Sequence, residues 1–225
     1  MNIKELYVDS IQFSYKNKLN LISGAYLHCK VGDVIAIFGK NGCGKSTLLK
    51  IVFGSLDASH SYIRVNGKKV NRAFLTRKVG YLPQESFLPS HEKVSKLIKL
   101  FIGDKNVNVL ILDDPRIQKI KNNKIYELSG GELRYLEIWL LICQPTDFLL
   151  LDEPFTGVEP MYINLISDLI EQFRCKKGFI ITDHNYHYLL EIATQITLLN
   201  DGVSIQINDK KELEQFYVPN GTFEE

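Results

Sequence analysis

Net charge is almost missing from this sequence: 27 Lys and Arg stand against 26 Asp and Glu, a formal +1 at pH 7. A balanced chain presents no broad cationic field, so nucleic acid is not an expected partner. Cysteine is sparse as well. The four thiols, Cys29, Cys43, Cys143 and Cys175, lack the paired spacing of a metal knuckle and read as reduced thiols of a cytosolic protein, not as a disulfide framework. The 220–222 sequence Asn-Gly-Thr has the form of a glycosylation sequon, which a cytosolic chain never presents to that machinery. No apolar stretch approaches the roughly 18–20 residues that a membrane span needs. Met1-Asn2-Ile3-Lys4-Glu5-Leu6 carries an early acid where a signal peptide needs an apolar run. The chain is therefore expected to be soluble, with any work at a membrane done through a partner. Repeats, low-complexity tracts and long linkers are also lacking, and 225 residues fit one domain, 1–225.

What is present is apolar pattern. Apolar residues make up 45% of the chain, enough for a large core. Residues 3–38 read as short strands and turns: Leu6-Tyr7-Val8, Ile11 to Tyr15, and Gly24 to Cys29, ending in the buried strand Val34-Ile35-Ala36-Ile37-Phe38. A Gly-rich loop follows, then a helix from about Ser46 to Phe53, stopped by Gly54. Strand signals return at Tyr62 to Val65 and at Val79 to Leu82, where Pro83 halts them. Between about 88 and 145 the texture is helical, with Val94, Leu97, Ile98, Phe101 and Ile102 on one face. From Phe148 the pattern alternates. Strands are predicted at Phe148–Asp152, Phe179–Thr182 and Ile196–Asn200, and a helix with Leu165, Ile166, Leu169, Ile170 and Phe173 on its core face. Past Asn200-Asp201-Gly202 only a short tail is expected. Together these predict an α/β fold: a mainly parallel sheet covered by helices, with N-terminal strands and a small helical subdomain at approximately 88–145.

Three stretches carry chemistry. Gly39-Lys40-Asn41-Gly42-Cys43-Gly44-Lys45-Ser46-Thr47 fits G-x-x-x-x-G-K-[ST] between a buried strand and a helix, the context that makes it a phosphate loop. Its glycines free main-chain N–H groups to wrap a β-phosphate, Lys45 can reach the β and γ oxygens, and the Ser46 hydroxyl can ligate Mg²⁺. Phe148-Leu149-Leu150-Leu151 ends in Asp152 and Glu153. Asp152 suits a metal and Glu153 suits the base for an attacking water, although a bare acidic strand end is ordinarily just solvated. Leu128-Ser129-Gly130-Gly131-Glu132 offers a second anion site: a hydroxyl on Ser129 and open N–H groups on Gly130 and Gly131, with a helix expected to begin at Glu132. By itself Ser-Gly-Gly reads as a flexible turn.

In this order the motifs resemble those of the ATP-binding cassette family, specifically the nucleotide-binding subunits of ABC transporters, over essentially the whole chain. The resemblance makes 128–132 the family signature and 148–153 the Walker B strand on a P-loop NTPase core with antiparallel N-terminal strands. It implies that Tyr15 stacks on adenine, that Gln84 touches Mg²⁺ and water and reports to a membrane partner, and that His184 contacts the γ-phosphate. Taken singly, these would read as a core Tyr, a turn Gln and a capping His. The resemblance further implies an ATPase using ATP and Mg²⁺, active as a head-to-tail homodimer. Each ATP would lie between one phosphate loop and the other chain's signature, and the dimer would power a separate transmembrane permease at the cytoplasmic face of the cell membrane. Glu159 stands where most relatives carry Asp, and Leu133-Arg134-Tyr135-Leu136 is less basic than in many of them. Pro154-Phe155-Thr156-Gly157-Val158 and Thr182-Asp183-His184-Asn185 are most similar to the lipopolysaccharide-transport and branched-chain amino-acid branch. Two further expectations concern Cys43 and Phe87. Cys43 is either a reactive thiol that ATP shields or a small residue that fits. Phe87, at a presumed exposed edge, either lines a groove for the permease's coupling helix or belongs to the core. A soluble ABC ATPase acting on a scaffold, as in iron–sulfur assembly, is the alternative. A P-loop small-molecule kinase leaves the signature without a task.

Overall fold

The structure is a computed structural model that describes residues 4–16, 18–102, 108–209, 212–214 and 217; the 220–222 sequon lies outside them. The chain enters as a hairpin in which β1 (Glu5–Tyr15) pairs antiparallel with β2 (Lys18–Lys30). The two short strands predicted at 6–8 and 11–15 are one. Ser10 takes φ 54° and the register shifts between Val8 and Ile11, a bulge that bends the strand without ending it. β3 (Val34–Phe38) is buried at every position. α1 (Lys45–Phe53) follows and is closed by Gly54 at φ 95°, whose N–H bonds the Lys50 carbonyl. β4 (His60–Val65) turns through Asn66 and Gly67, at φ 52° and 78°, into β5 (Lys68–Lys69). Two successive positive φ values are what a tight hairpin needs, and an Asn-Gly pair tolerates them.

β6 (Val79–Leu82) leads into α2 (Val94–Ile102), α3 (Asn108–Asp113), α4 (Pro115–Ile120) and α5 (Gly130–Ile142). The alternation then runs β7 (Phe148–Asp152), α6 (Pro160–Phe173), β8 (Gly178–Thr182), α7 (Tyr186–Ile192), β9 (Gln195–Asn200). The expected tail begins instead with β10 (Val203–Ile207), which returns antiparallel along β9. Asp201 at φ 47° and Gly202 at φ 80° make the turn. An Asp-Gly pair between apolar runs is a hairpin signal.

The strand order is β5-β4-β1-β2-β10-β9-β3-β8-β7-β6. β9, β3, β8, β7 and β6 are parallel neighbours, while β5, β4, β1 and β2 are antiparallel. β10 joins the two parts through one parallel pair, Val203 with Gly24. Side chains of the central strands alternate between two cores. Ala36, Phe38, Leu149, Leu151 and Ile181 meet Leu136 and Leu140 of α5 and Ile166 and Ile170 of α6. Ile35, Ile37, Phe148, Leu150 and Ile180 meet Leu48 and Val52 of α1 and Leu6 and Val8 of β1. Coverage on both faces is why β3 and the Phe148–Leu151 part of β7 are uninterrupted apolar runs. On α6, Ile163 enters the core, while Leu165 is only half-buried.

Asp147, just before β7, staples the antiparallel strands to this core. It accepts from Lys4 Nζ at 2.7 Å and from Asn66 Nδ2 at 2.9 Å, with Lys78 Nζ at 3.8 Å. Burial alone would raise its carboxyl, but the bonds from Lys4 and Asn66 outweigh burial and hold it below the usual range. A folded-state pKa below the unfolded one stabilises above the unfolded value, and the gain is lost as pH falls through the folded value. Asp147→Asn is expected to lower the thermal midpoint by about 2–4 °C at neutral pH. The gap should close as pH falls below the ordinary carboxylate range; an undiminished gap in strong acid would refute the charge-based role.

Candidate active site

The 39–44 loop leaves β3 and enters α1. Gly39 has no room for a side chain: at φ 153°, a Cβ there would lie 2.5 Å from the Leu199 carbonyl oxygen and 2.7 Å from Cys43 Sγ. Gly42 and Gly44 hold φ 73° and 111°. Gly44 caps α1 and has no side chain to bond its first-turn amides, which are therefore suited to an anion. Lys45 is buried, and its ammonium donates to the Gly39 carbonyl at 2.6 Å along the floor of the loop. Around it lies a cleft of about 390 Å³ lined by Tyr15, Leu21, Asn41, Gly42, Gly44, Lys45, Ser46, Thr47, Glu153 and His184. Tyr15, 46% exposed, stands at this cleft with its ring edge-on to Phe13 at 4.7 Å and its hydroxyl 3.5 Å from Thr47 Oγ1. It is not the core tyrosine that a strand position alone implies. Lys40 and Cys43 line an adjoining cleft on the other side of the loop, with Asn20 and Asp201.

The acidic pair is built by strand pairing. Asp152 ends β7 fully buried, and its Oδ1 accepts from Ser46 Oγ at 2.8 Å and Thr182 Oγ1 at 2.9 Å. Its Oδ2 accepts from Tyr81 at 2.9 Å. Burial first, and the Asp152 carboxylate next, push the Tyr81 hydroxyl above the phenol range, so it remains a donor. Glu153 still pairs through its N–H with the Thr182 carbonyl at 2.8 Å, but takes φ 52°. That left-handed turn carries strain of about 1–2 kcal/mol, and it brings Glu153 to the cleft that strand alternation alone would have turned it from. Its Oε2 accepts from Gln84 Nε2 at 2.8 Å, and its Oε1 lies 3.1 Å from His184 Nε2. Three residues singled out separately in the sequence thus meet at one carboxylate. Asp183, fully buried between them in the chain, accepts from the Phe155 N–H at 2.7 Å and the Asn185 N–H at 2.8 Å. Burial pushes its carboxyl up, and those two bonds oppose the shift.

Ser129, Gly130 and Gly131 are not among the residues lining this cleft. The helix begins earlier than predicted: α5 starts at Gly130, and Ser129 is its cap. Ser129 Oγ accepts from the Glu132 N–H at 3.2 Å while the Glu132 carboxylate accepts from the Ser129 N–H at 3.0 Å. The Ser129 hydroxyl proton remains free to donate. A Cβ on Gly131 would lie 2.5 Å from both Glu159 Oε2 and Tyr162 Cδ2. The longer acid at 159 therefore reaches back to the start of α5. Phe87 is half-buried rather than exposed: its ring packs 5.9 Å from Phe101 and against the main core. Sequence reasoning missed Leu21, Tyr81, Thr182 and Asp183. Only Asp183 had a signal, as the acid directly before the singled-out His184.

The sequence profile described as "ABC transporter" matches residues 22–156. The chain belongs to the ABC transporter family. The cassette is 30% identical over 202 residues to an uncharacterized ABC transporter ATP-binding protein of Rhizobium meliloti, covering 84% of this chain and 74% of that protein. It is 27% identical over 238 residues to the lipopolysaccharide export system ATP-binding protein LptB of Haemophilus influenzae, covering 95% and 96%. Against ABC transporter A family member 1 of Dictyostelium discoideum, 28% identical, the cassette spans 24% of the longer protein. Among solved structures, the ATP-binding subunit of an ABC transporter superposes with a TM-score of 0.80 at 19% identity, covering 93% and 92%. A cassette solved in its ADP conformation superposes at 0.78 with 22% identity, covering 94% of each chain. The fold and family are those of ATP-hydrolysing domains. Among the described residues no helix is long and apolar enough to cross a membrane.

Proposed function

We propose that this cassette is the ATP-hydrolysing subunit of a transporter, closing as a dimer around two ATP molecules to drive a separate membrane permease from the cytoplasmic face. One observation carries the reading. The cleft gathers the phosphate loop, Tyr15, Glu153 and His184, while Ser129 and Gly130 stand exposed at the start of α5, outside that cleft. A single copy therefore presents two half-sites, and a second copy in head-to-tail orientation would complete both. The names of relatives that export lipopolysaccharide or transport ergothioneine support the transport role.

In this reading Tyr15 stacks on adenine, and residues 39–47 hold the phosphates through backbone N–H groups and Lys45. The oxygen donors Ser46 and Asp152, with the Gln84 amide oxygen, fit Mg²⁺, a hard cation. When bound, that ion would neutralise charge building on the β and γ oxygens. Glu153 takes the proton of the attacking water, a role worth about 10²–10⁴-fold. Gln84 and His184 hold the Glu153 carboxylate in place, and His184 faces the γ-phosphate. Ser129 and the amides of Gly130 and Gly131 close over the partner's triphosphate.

Affinity purification of the tagged chain from detergent-solubilised membranes tests the transport role. A multi-span membrane protein should co-purify and raise the ATPase rate when both are placed in lipid. Recovery solely with soluble assembly factors would overturn it.

A further inference from the structure

We infer that Arg134 and Glu137 are positioning residues for hydrolysis, joining the helix that presents Ser129 to the loop that presents Gln84, so that closure at one nucleotide site adjusts the other. The inference rests on the dimeric reading above. Arg134 lies in the second turn of α5, and its guanidinium spans two successive carbonyls of the loop after β6. Nη1 donates to the Pro83 oxygen at 2.9 Å and Nη2 to the Gln84 oxygen at 2.6 Å. Nη1 also donates to Glu137 Oε2 at 3.1 Å. Glu137 is 1% exposed, and its Oε1 accepts from the Phe87 N–H at 3.3 Å. One helical turn thus grips the loop at three backbone positions, Pro83, Gln84 and Phe87. Burial raises the Glu137 carboxyl, opposed by its bonds to Ser86, Arg134 and Phe87.

The fork matters as a shape. A planar guanidinium presents two donors at a fixed spacing, whereas an ammonium satisfies one carbonyl at a time. With its backbone held this way, Gln84 sends its side chain to Glu153 Oε2 at 2.8 Å. The connection runs without a gap from the Ser129 cap along α5 to Arg134, then through the Gln84 backbone to the catalytic carboxylate. In the dimer the two ends of this connection face different ATP molecules. A shift of α5 as it closes on the partner's triphosphate moves Gln84 in its own cleft, and the consequence is positive cooperativity in ATP. A pair that only stabilised the fold would change melting, not cooperativity or the division between kcat and KM.

The test measures steady-state hydrolysis against ATP concentration for the full chain, alongside titration with a fluorescent ATP analogue and thermal melts. Arg134→Lys keeps the charge beside Glu137, and the double variant Arg134→Gln with Glu137→Gln removes the buried pair together. Each folded variant is expected to lose between about 10- and 100-fold in kcat, to hold its analogue affinity, and to give a Hill coefficient of one where the parent exceeds one. A wild-type kcat and Hill coefficient in either folded variant would overturn the coupling, as would a Hill coefficient of one in the parent. Lys45→Ala separates the two failures. If it hydrolyses at the parental rate, the reading of the whole site falls. If it is inactive while the Arg134 variants behave as the parent does, only the coupling falls.

Discussion

Glu153→Gln is expected to bind ATP as tightly as the parent, to lose about 10²–10⁴-fold in turnover and to accumulate as an ATP-bound dimer. The amide is nearly isosteric with the carboxylate. Its oxygen can accept from Gln84 Nε2, as Glu153 does at 2.8 Å. Its NH₂ can donate to His184 Nε2 in the neutral tautomer, across the 3.1 Å contact seen here. The phosphate loop and the Asp152 network do not depend on the charge at 153. What disappears is a basic lone pair at the end of β7, so the triphosphate stays intact and keeps the two copies together. Size exclusion with ATP, and phosphate release under the same conditions, check both halves. Turnover at the parental rate would remove Glu153 from the role of base.

The second large effect is expected at the other end of the proposed composite site. In Gly131→Ala the new methyl would lie 2.5 Å from Glu159 Oε2 and from the Tyr162 ring. Something must shift: the Glu159 carboxylate can swing aside, but Tyr162 Cγ, 2.8 Å from the new methyl, sits close to its own backbone, so the expected displacement is of the start of α5, with Ser129 carried along. Each hydrogen bond to a charged group contributes about 1.5–3 kcal/mol, so losing two such donors should reduce turnover by about 10²-fold or more. The monomer's own affinity for nucleotide should be unchanged, because neither residue lines its cleft. Mixing this variant with Lys45→Ala then gives a decisive arm. A mixed dimer pairs an intact phosphate loop on one chain with an intact Ser129 end on the other, so activity should return when two nearly inactive proteins are combined. No recovery on mixing, together with a concentration-independent rate in the parent, would dismiss the dimeric site.

Much of this was legible in the chain because it is local. The buried run Val34 to Phe38, the glycines after it and Gly54 at the end of α1 encode strand, loop and helix within twenty-one residues, each by its own backbone preferences. The misreadings were mostly at boundaries and pairings. A break between Val8 and Ile11 looks the same in sequence as a bulge that keeps pairing. β10 is short, and its partly exposed residues resemble a tail until β9 and β2 lie beside it. Phe87 follows the polar run Gln84-Glu85-Ser86, and the packing against Phe101 and the main core that half-buries it comes from residues outside that run. Arg134 looked like a weakened basic run, although its partners are carbonyls some fifty positions earlier.

The amino-acid order by itself determined where the strands and helices lie in the core, where phosphate can be gripped and which two acids end β7. Those features follow from residue periodicity and from glycine's access to positive φ, which act over a few neighbours. Tertiary structure decided which hydroxyls saturate Asp152, that Glu153 turns at φ 52° to meet Gln84 and His184, and that Arg134 grips the Gln84 backbone. Parallel pairing places β6, β7, β8 and β3 side by side although they are distant in the chain. Contacts across such a sheet depend on register and crossover, which no short window of residues contains.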